Sequence, residues 1–151
     1  MRSIALATLV LATIAPLDGR AAQCSFDMVL AVRFGAYDPL EAAPLDSTGS
    51  LTIDCKGKGG DTPFVVLLGR GSSGSYATRT MRGPGGATLG YNLYLDATRL
   101  TIWGDGTGGS TYYGPTAIPS VVTIPVYGRI PAYQAPAAGS YADTITITVE
   151  F

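Results

Sequence analysis

Cys24 and Cys55 are the only cysteines of the chain, and it contains no histidine. Without imidazole there is no Ser-His-Asp or Cys-His nucleophilic catalysis and no histidine-ligated metal site. Three carboxylates lie close together, Asp38, Glu41 and Asp46, which raises the paired acids of glycoside hydrolysis. Asp38-Pro39 is the start of a turn, however, and no neighbouring element supplies a cleft, so a solvated loop is expected. Asp105-Gly106-Thr107-Gly108 begins like a calcium loop but lacks the later acidic ligands. Residues 104–109 lack the lysine and following helix of a phosphate cradle. The reading is therefore no enzyme, no metal and no cofactor. The two thiols lack the close C-x-x-C spacing of a redox site. Free buried thiols and a structural disulfide remain, and in an exported chain an even pair is most economically one disulfide. Closing the thirty intervening residues is worth about 3.5 kcal/mol by chain-entropy arithmetic.

Export is legible at the start of the chain. Arg2 precedes an apolar run over residues 4–14, shorter than the roughly 20 residues of a membrane-spanning helix, which reads as a signal peptide. Small-x-small sites end at Ala15 and Ala22. Cleavage after Ala22 is preferred, dividing the chain into a signal at 1–22 and one domain at 23–151, with no transmembrane segment in the mature chain. Gln23 before Cys24 is not the small residue that lipidation requires. The mature part carries eight basic and ten acidic residues and no basic run, which argues against a nucleic-acid partner.

The elements that must position the cysteines read as strands. The last stretch alternates Thr144, Thr146, Thr148 and Glu150 with Ile145, Ile147, Val149 and Phe151, the period of a half-buried strand. Burying those four apolar side chains is worth roughly 6–12 kcal/mol, given a partner surface. Residues 25–34 place Phe26, Met28, Leu30, Val32 and Phe34 on one side. A second strand at 49–55 brings Cys55 opposite Cys24. Further strands are expected at 63–68, 89–96 and 121–130, the last with Pro125 marking a bulge or an edge. Residues 69–88 and 104–115 read as Gly-rich connections. With twenty glycines, ten prolines and no helical periodicity after the signal, six principal strands point to an all-β sandwich.

Several ordered motifs then carry a resemblance. They are Cys24-x-Phe26, Phe34-Gly35-x-Tyr37-Asp38-Pro39, Leu51-x-Ile53-x-Cys55, Arg79-x-Met81, Tyr91-Asn92-Leu93-Tyr94, Trp103-Gly104-Asp105-Gly106 and Pro125-Val126-Tyr127-Gly128. Together they resemble the spore coat protein U family, secreted domains related to subunits of archaic chaperone–usher pili. The resemblance implies an incomplete immunoglobulin-like β-sandwich whose seventh strand comes from a partner chain. It implies three partners: a periplasmic chaperone, an outer-membrane usher, and a neighbouring subunit that donates a strand. The domain would pass through the periplasm to a cell-surface pilus or fimbrium, or to a spore coat. Carried onto this sequence, the donor-strand groove draws on Phe26, Met28, Leu30, Val32, Ile145, Ile147, Val149 and Phe151.

One departure from the family pattern sets a further expectation. Polymerising subunits of this type carry their donor strand before the first cysteine. Here residues 16–23 include Gly19 and show no alternation of apolar side chains, so the chain reads as a strand acceptor only, placed at a fibre tip. Nine tyrosines and Trp103 raise a second class of function, a surface- or glycan-binding adhesin module. Tyr91, Tyr94 and Tyr127 are expected in packing on strands. Tyr112, Tyr113 and Ile118, near a Gly-rich loop, are the candidate adhesive contacts.

Overall fold

The computed structural model describes residues 23–56, 63–117 and 121–150. The expected signal segment with its cleavage site after Ala22, the candidate contact Ile118 and the groove candidate Phe151 lie outside these residues. Eight strands are present: β1 (Gln23–Leu30), β2 (Leu45–Lys56), β3 (Pro63–Leu68), β4 (Arg79–Arg82), β5 (Thr88–Tyr94), β6 (Tyr113–Ala117), β7 (Val121–Ile130) and β8 (Ile147–Glu150). They form two antiparallel sheets, one of five strands in the order β1-β2-β7-β5-β4 and one of three in the order β6-β3-β8. The expected sandwich is there, with two more strands among the described residues than the six expected.

Both additional strands fall in stretches read as connections. In β4 the inward pair is Arg79 and Met81, and an arginine on the core side hides the alternation that marks a strand. β6 contains Gly114 and Pro115, joined by a cis peptide bond, which obscure it in the same way. Pro125 sits in β7 with no register shift against β2. The ladder between β5 and β7 ends at the Tyr94–Tyr127 pair, so on that side the missing N–H of Pro125 costs no bond and the local edge is real.

The core lies between the sheets. Leu51 and Ile53 of β2, Phe64, Val66 and Leu68 of β3, Leu89, Tyr91 and Leu93 of β5, and Ile124, Val126 and Ile130 of β7 are buried around Trp103. The spacing of two along each strand is the reason, since it sends every second side chain to one face. Cys24 and Cys55 lie opposite one another in the β1–β2 ladder and are disulfide-bonded, as the sequence reading held.

Strand β1 departs from the simple alternation. Phe26 pairs with Ile53 but Met28 pairs with Thr52, so Asp27 is the extra residue of a bulge. A single inserted residue exchanges the two faces beyond it. Val29 (52% exposed) therefore lies opposite buried Leu51, while Met28 (62% exposed) and Leu30 (57% exposed) lie opposite Thr52 and Ser50.

Candidate functional site

On one flank the two sheets do not meet, and a largely apolar cleft of about 950 Å³ opens between them. One wall is the chain continuing from β1, residues 29–37. The opposite wall is residues 136–143 together with Ile145 and Ile147, leading into β8. The floor is Leu51, Leu68, Met81, Leu89, Tyr91 and Val126. Strand β1 pairs only with β2, and β8 pairs only with β3, among the described residues. The cleft is therefore bordered by two strands that each have one unsatisfied edge.

The first wall is shaped by glycines. Along β7 the inward positions are Ile124, Val126, Gly128 and Ile130, so Gly128 leaves a notch in the sheet. Val32 and Phe34 lie over that notch, and a Cβ on Gly128 would collide with Val32 Cγ1 and the Phe34 ring. Gly49 of β2 accommodates the backbone of Leu30 and Val32 in the same way. The Phe34 ring meets that of Tyr91 edge-on at 6.1 Å. Ser47 Oγ donates to Arg33 O at 2.6 Å, and Tyr37 links residues 131 and 134 by donating to Pro131 O and accepting from Gln134 N.

The second wall is held to the far side of the large sheet. Arg82 and Ala142 exchange two backbone hydrogen bonds, at 2.8 and 3.0 Å. The Tyr141 ring covers Gly83, where any side chain would collide with it. Asp143 accepts from Tyr91 Oη at 2.7 Å and from the amides of Ser72 and Thr144. Burial, reinforced by that bond to Asp143, pushes the Tyr91 hydroxyl far above its ordinary range, so it stays a donor.

Behind the floor, the fully buried Arg79 donates to Gly69 O, Trp103 O and Asn92 Oδ1, and its guanidinium lies 5.1 Å from the Tyr76 ring centroid. Burial lowers its pKa from the ordinary arginine value, with the neighbouring Tyr91, Tyr76, Asp143 and Asp105 acting the other way. Trp103 Nε1 donates to Val66 O, tying the two sheets together. This network could have been suspected from the Arg79-x-Met81 motif, but nothing in the local sequence shows that the arginine points inward.

Of the residues assigned to a groove from sequence, Leu30, Val32, Ile145 and Ile147 line this cleft. Phe26, Met28 and Val149 do not; Val149 pairs with Val66 and packs on the core. The bulge at Asp27 is the reason for Met28, which it turns to the outer face. Val29, on the cleft side of the bulge, was missed for the same reason.

Of the candidate adhesive contacts, Tyr113 begins β6 and Tyr112 directly precedes it. Adjacent residues of an extended segment face opposite ways. Tyr113 packs against Phe64 and Trp103 at 6.1 and 6.2 Å, whereas Tyr112 is 38% exposed. The carboxylates also separate: Asp38 caps its own turn by accepting from Leu40 N, while Asp46 pairs with Arg129 and Arg99.

The family model for the Spore Coat Protein U domain matches residues 9–148. The chain belongs to that family. The family resemblance read from the ordered motifs is thereby shown. Protein U of Myxococcus xanthus is 34% identical over 132 residues, covering 80% of this chain and 71% of the relative. Among solved structures, the chain resembles one in the crystal structure of the CsuC–CsuE chaperone–tip adhesion subunit pre-assembly complex, from archaic chaperone–usher Csu pili of Acinetobacter baumannii. The TM-score is 0.60 at 25% identity, covering 87% of this chain and 40% of that one. This Spore Coat Protein U domain thus spans less than half of the solved chain that it matches. The all-β sandwich agrees with the immunoglobulin-like fold expected of such subunits. No helix among the described residues is long and apolar enough to cross a membrane.

Proposed function

We propose that this Spore Coat Protein U domain is an exported structural subunit of a surface fibre or coat, assembled by accepting a β-strand from another protein into its cleft. The observation that carries the proposal is the apolar cleft bordered by the free edges of β1 with its continuation and of β8. A small-molecule site of similar volume needs a few convergent polar groups to orient its ligand. Here the Tyr91 hydroxyl is already committed to Asp143. Two facing strand edges call instead for a strand, whose main chain satisfies the edges while alternate side chains fill the interior. The similarity to a chain of a chaperone–subunit complex supports a periplasmic chaperone as the first occupant, an outer-membrane usher as the assembly site and a neighbouring subunit as the final donor. The route to the cell surface through the periplasm follows from the same assignment.

The finer reading is that the chain accepts a strand and does not give one. It rests on the composition of residues 16–23, which lack alternating apolar side chains. A subunit that both gives and accepts makes an open-ended contact and propagates a filament, whereas one that only accepts ends it. Sequencing the mature N-terminus and locating labelled protein on fibres by electron microscopy test this. Label along the shaft contradicts the tip assignment.

The main proposal is tested by co-expressing the chain with an archaic-type periplasmic chaperone. The chain alone is expected to aggregate as its concentration rises, because a free apolar edge templates association. With the chaperone it is expected to become soluble and co-purify. Ile147→Asp, which places a charge in the apolar cleft, is expected to abolish capture. A chain that stays monomeric without a partner and is indifferent to Ile147→Asp would contradict the assignment.

A further inference from the structure

Two separated stretches of chain, and the amide next to it, converge on the Asp143 carboxylate. Oδ2 accepts from Tyr91 Oη of β5, and Oδ1 accepts from the amide of Ser72, in the short turn after β3, and from that of Thr144. The turn comes this close because residue 71 is glycine, with φ +65°; a side chain there would run into the carboxylate and into Ile145. Two residues beyond Asp143 is Ile145, and two further is Ile147, both lining the cleft. By contrast β8 itself has only four residues paired with β3, and its inward side chains are only partly buried.

We propose that Asp143 is the positioning residue of the cleft: it fixes the wall that ends in β8 at the spacing a donated strand requires. This rests on the strand-accepting reading above and goes beyond it by naming what sets the width of the slot. The apolar side chains of the wall, Ile145 and Ile147, are only partly buried against the core, and such non-directional contacts fix a distance less sharply than hydrogen bonds do. Charge-assisted bonds to a carboxylate are stronger and more directional than neutral ones, and here they join the wall to β5, in the sheet that forms the floor. The backbone exchange between Arg82 and Ala142 sets the height of the wall, and Asp143 sets its distance from Tyr91.

The test is hydrogen exchange on freshly eluted, dilute monomer, comparing Asp143→Ala, Asp143→Asn and Tyr91→Phe with the parent chain. Asp143→Ala removes the acceptor of all three bonds and is expected to speed exchange at residues 141–150 by at least about tenfold, the effect of losing even one charge-assisted bond, with β2 and β7 unchanged. Asp143→Asn keeps an acceptor for Ser72 and Thr144, and is expected to recover part of the protection. Tyr91→Phe keeps the ring against Phe34 and is expected to give a smaller local change. Equal acceleration in β2 and β7, or none at 141–150, overturns the proposal. Co-purification of Asp143→Ala with the chaperone at the parent yield overturns its role in strand acceptance. If the parent chain captures no chaperone while the local exchange result holds, the strand-accepting reading fails and the positioning role of Asp143 stands.

Discussion

The two flanks of this sandwich are built from similar residues and satisfied in opposite ways. On the closed side Arg79 with Trp103 binds the sheets together through backbone carbonyls, behind the floor where β2 and β7 pair over ten positions. Among the described residues no buried side-chain nitrogen or oxygen lacks a partner. On the open flank β8 pairs over four positions, and Val32, Phe34, Ile145 and Ile147 are only partly buried. The difference teaches where the fold is matched within itself and where it is not. Polar groups inside the closed flank are internally matched, whereas the free edges of the open flank can be matched only from outside.

The comparison is broken most severely at Arg79. Arg79→Ala leaves two carbonyls and the Asn92 amide oxygen without their donor in a dry interior, at a cost of roughly 4 kcal/mol or more. Urea unfolding should show this as a lower midpoint, and loss of soluble chain even with the chaperone is expected. Cys24→Ser comes next, at about 3.5 kcal/mol, because the disulfide shortens the unfolded chain's freedom. Its effect should appear under oxidising conditions only, since reduction removes the bond from both proteins. Ile147→Asp is smaller still for the chain alone, about 1–2 kcal/mol for a half-buried site, yet it should abolish chaperone capture. That inversion, little loss of stability with complete loss of capture, is what separates the open flank from the closed one.

A surface control completes the series. Arg129 lowers the pKa of Asp46 through a bidentate contact at 2.7 and 2.9 Å, with Arg99 adding to the effect. Because the folded value is depressed, the contribution is present above the unfolded carboxylate pKa of about 4 and is lost as pH falls through the folded one. Asp46→Asn should cost about 0.5 kcal/mol at pH 7 and flatten the fall in stability below pH 4, with capture unchanged. Denaturation at several pH values measures this.

How much of this was legible in the sequence differs between the flanks as well. The cysteine pair and the terminal alternation gave the disulfide and the free edge of β8, because both depend on residue type and a period of two. Strand β4 was hidden because its inward positions include Arg79, whose carbonyl partners at Gly69 and Trp103 are brought to it only by the tertiary fold. The bulge at Asp27 was hidden too. One extra residue in β1 changes no composition, yet it turns Met28 outward and Val29 toward the cleft. Tyr112 and Tyr113 are neighbours in sequence, yet Tyr113 packs on Phe64 and Trp103 while Tyr112 is exposed, a difference that adjacency does not show. The notch at Gly128, which receives Val32 and Phe34, follows from an absent side chain and is visible only when the strands are superimposed.

The central claim, that the cleft takes a strand between the continuation of β1 and β8, is tested most directly by hydrogen exchange on the chain bound to its chaperone against the chain alone. The account predicts new protection at the amides of residues 29–37 and 145–150, with β2 and β7 unchanged. Protection confined to the loop around Tyr112, with both cleft edges exchanging as fast as in the free chain, would contradict it.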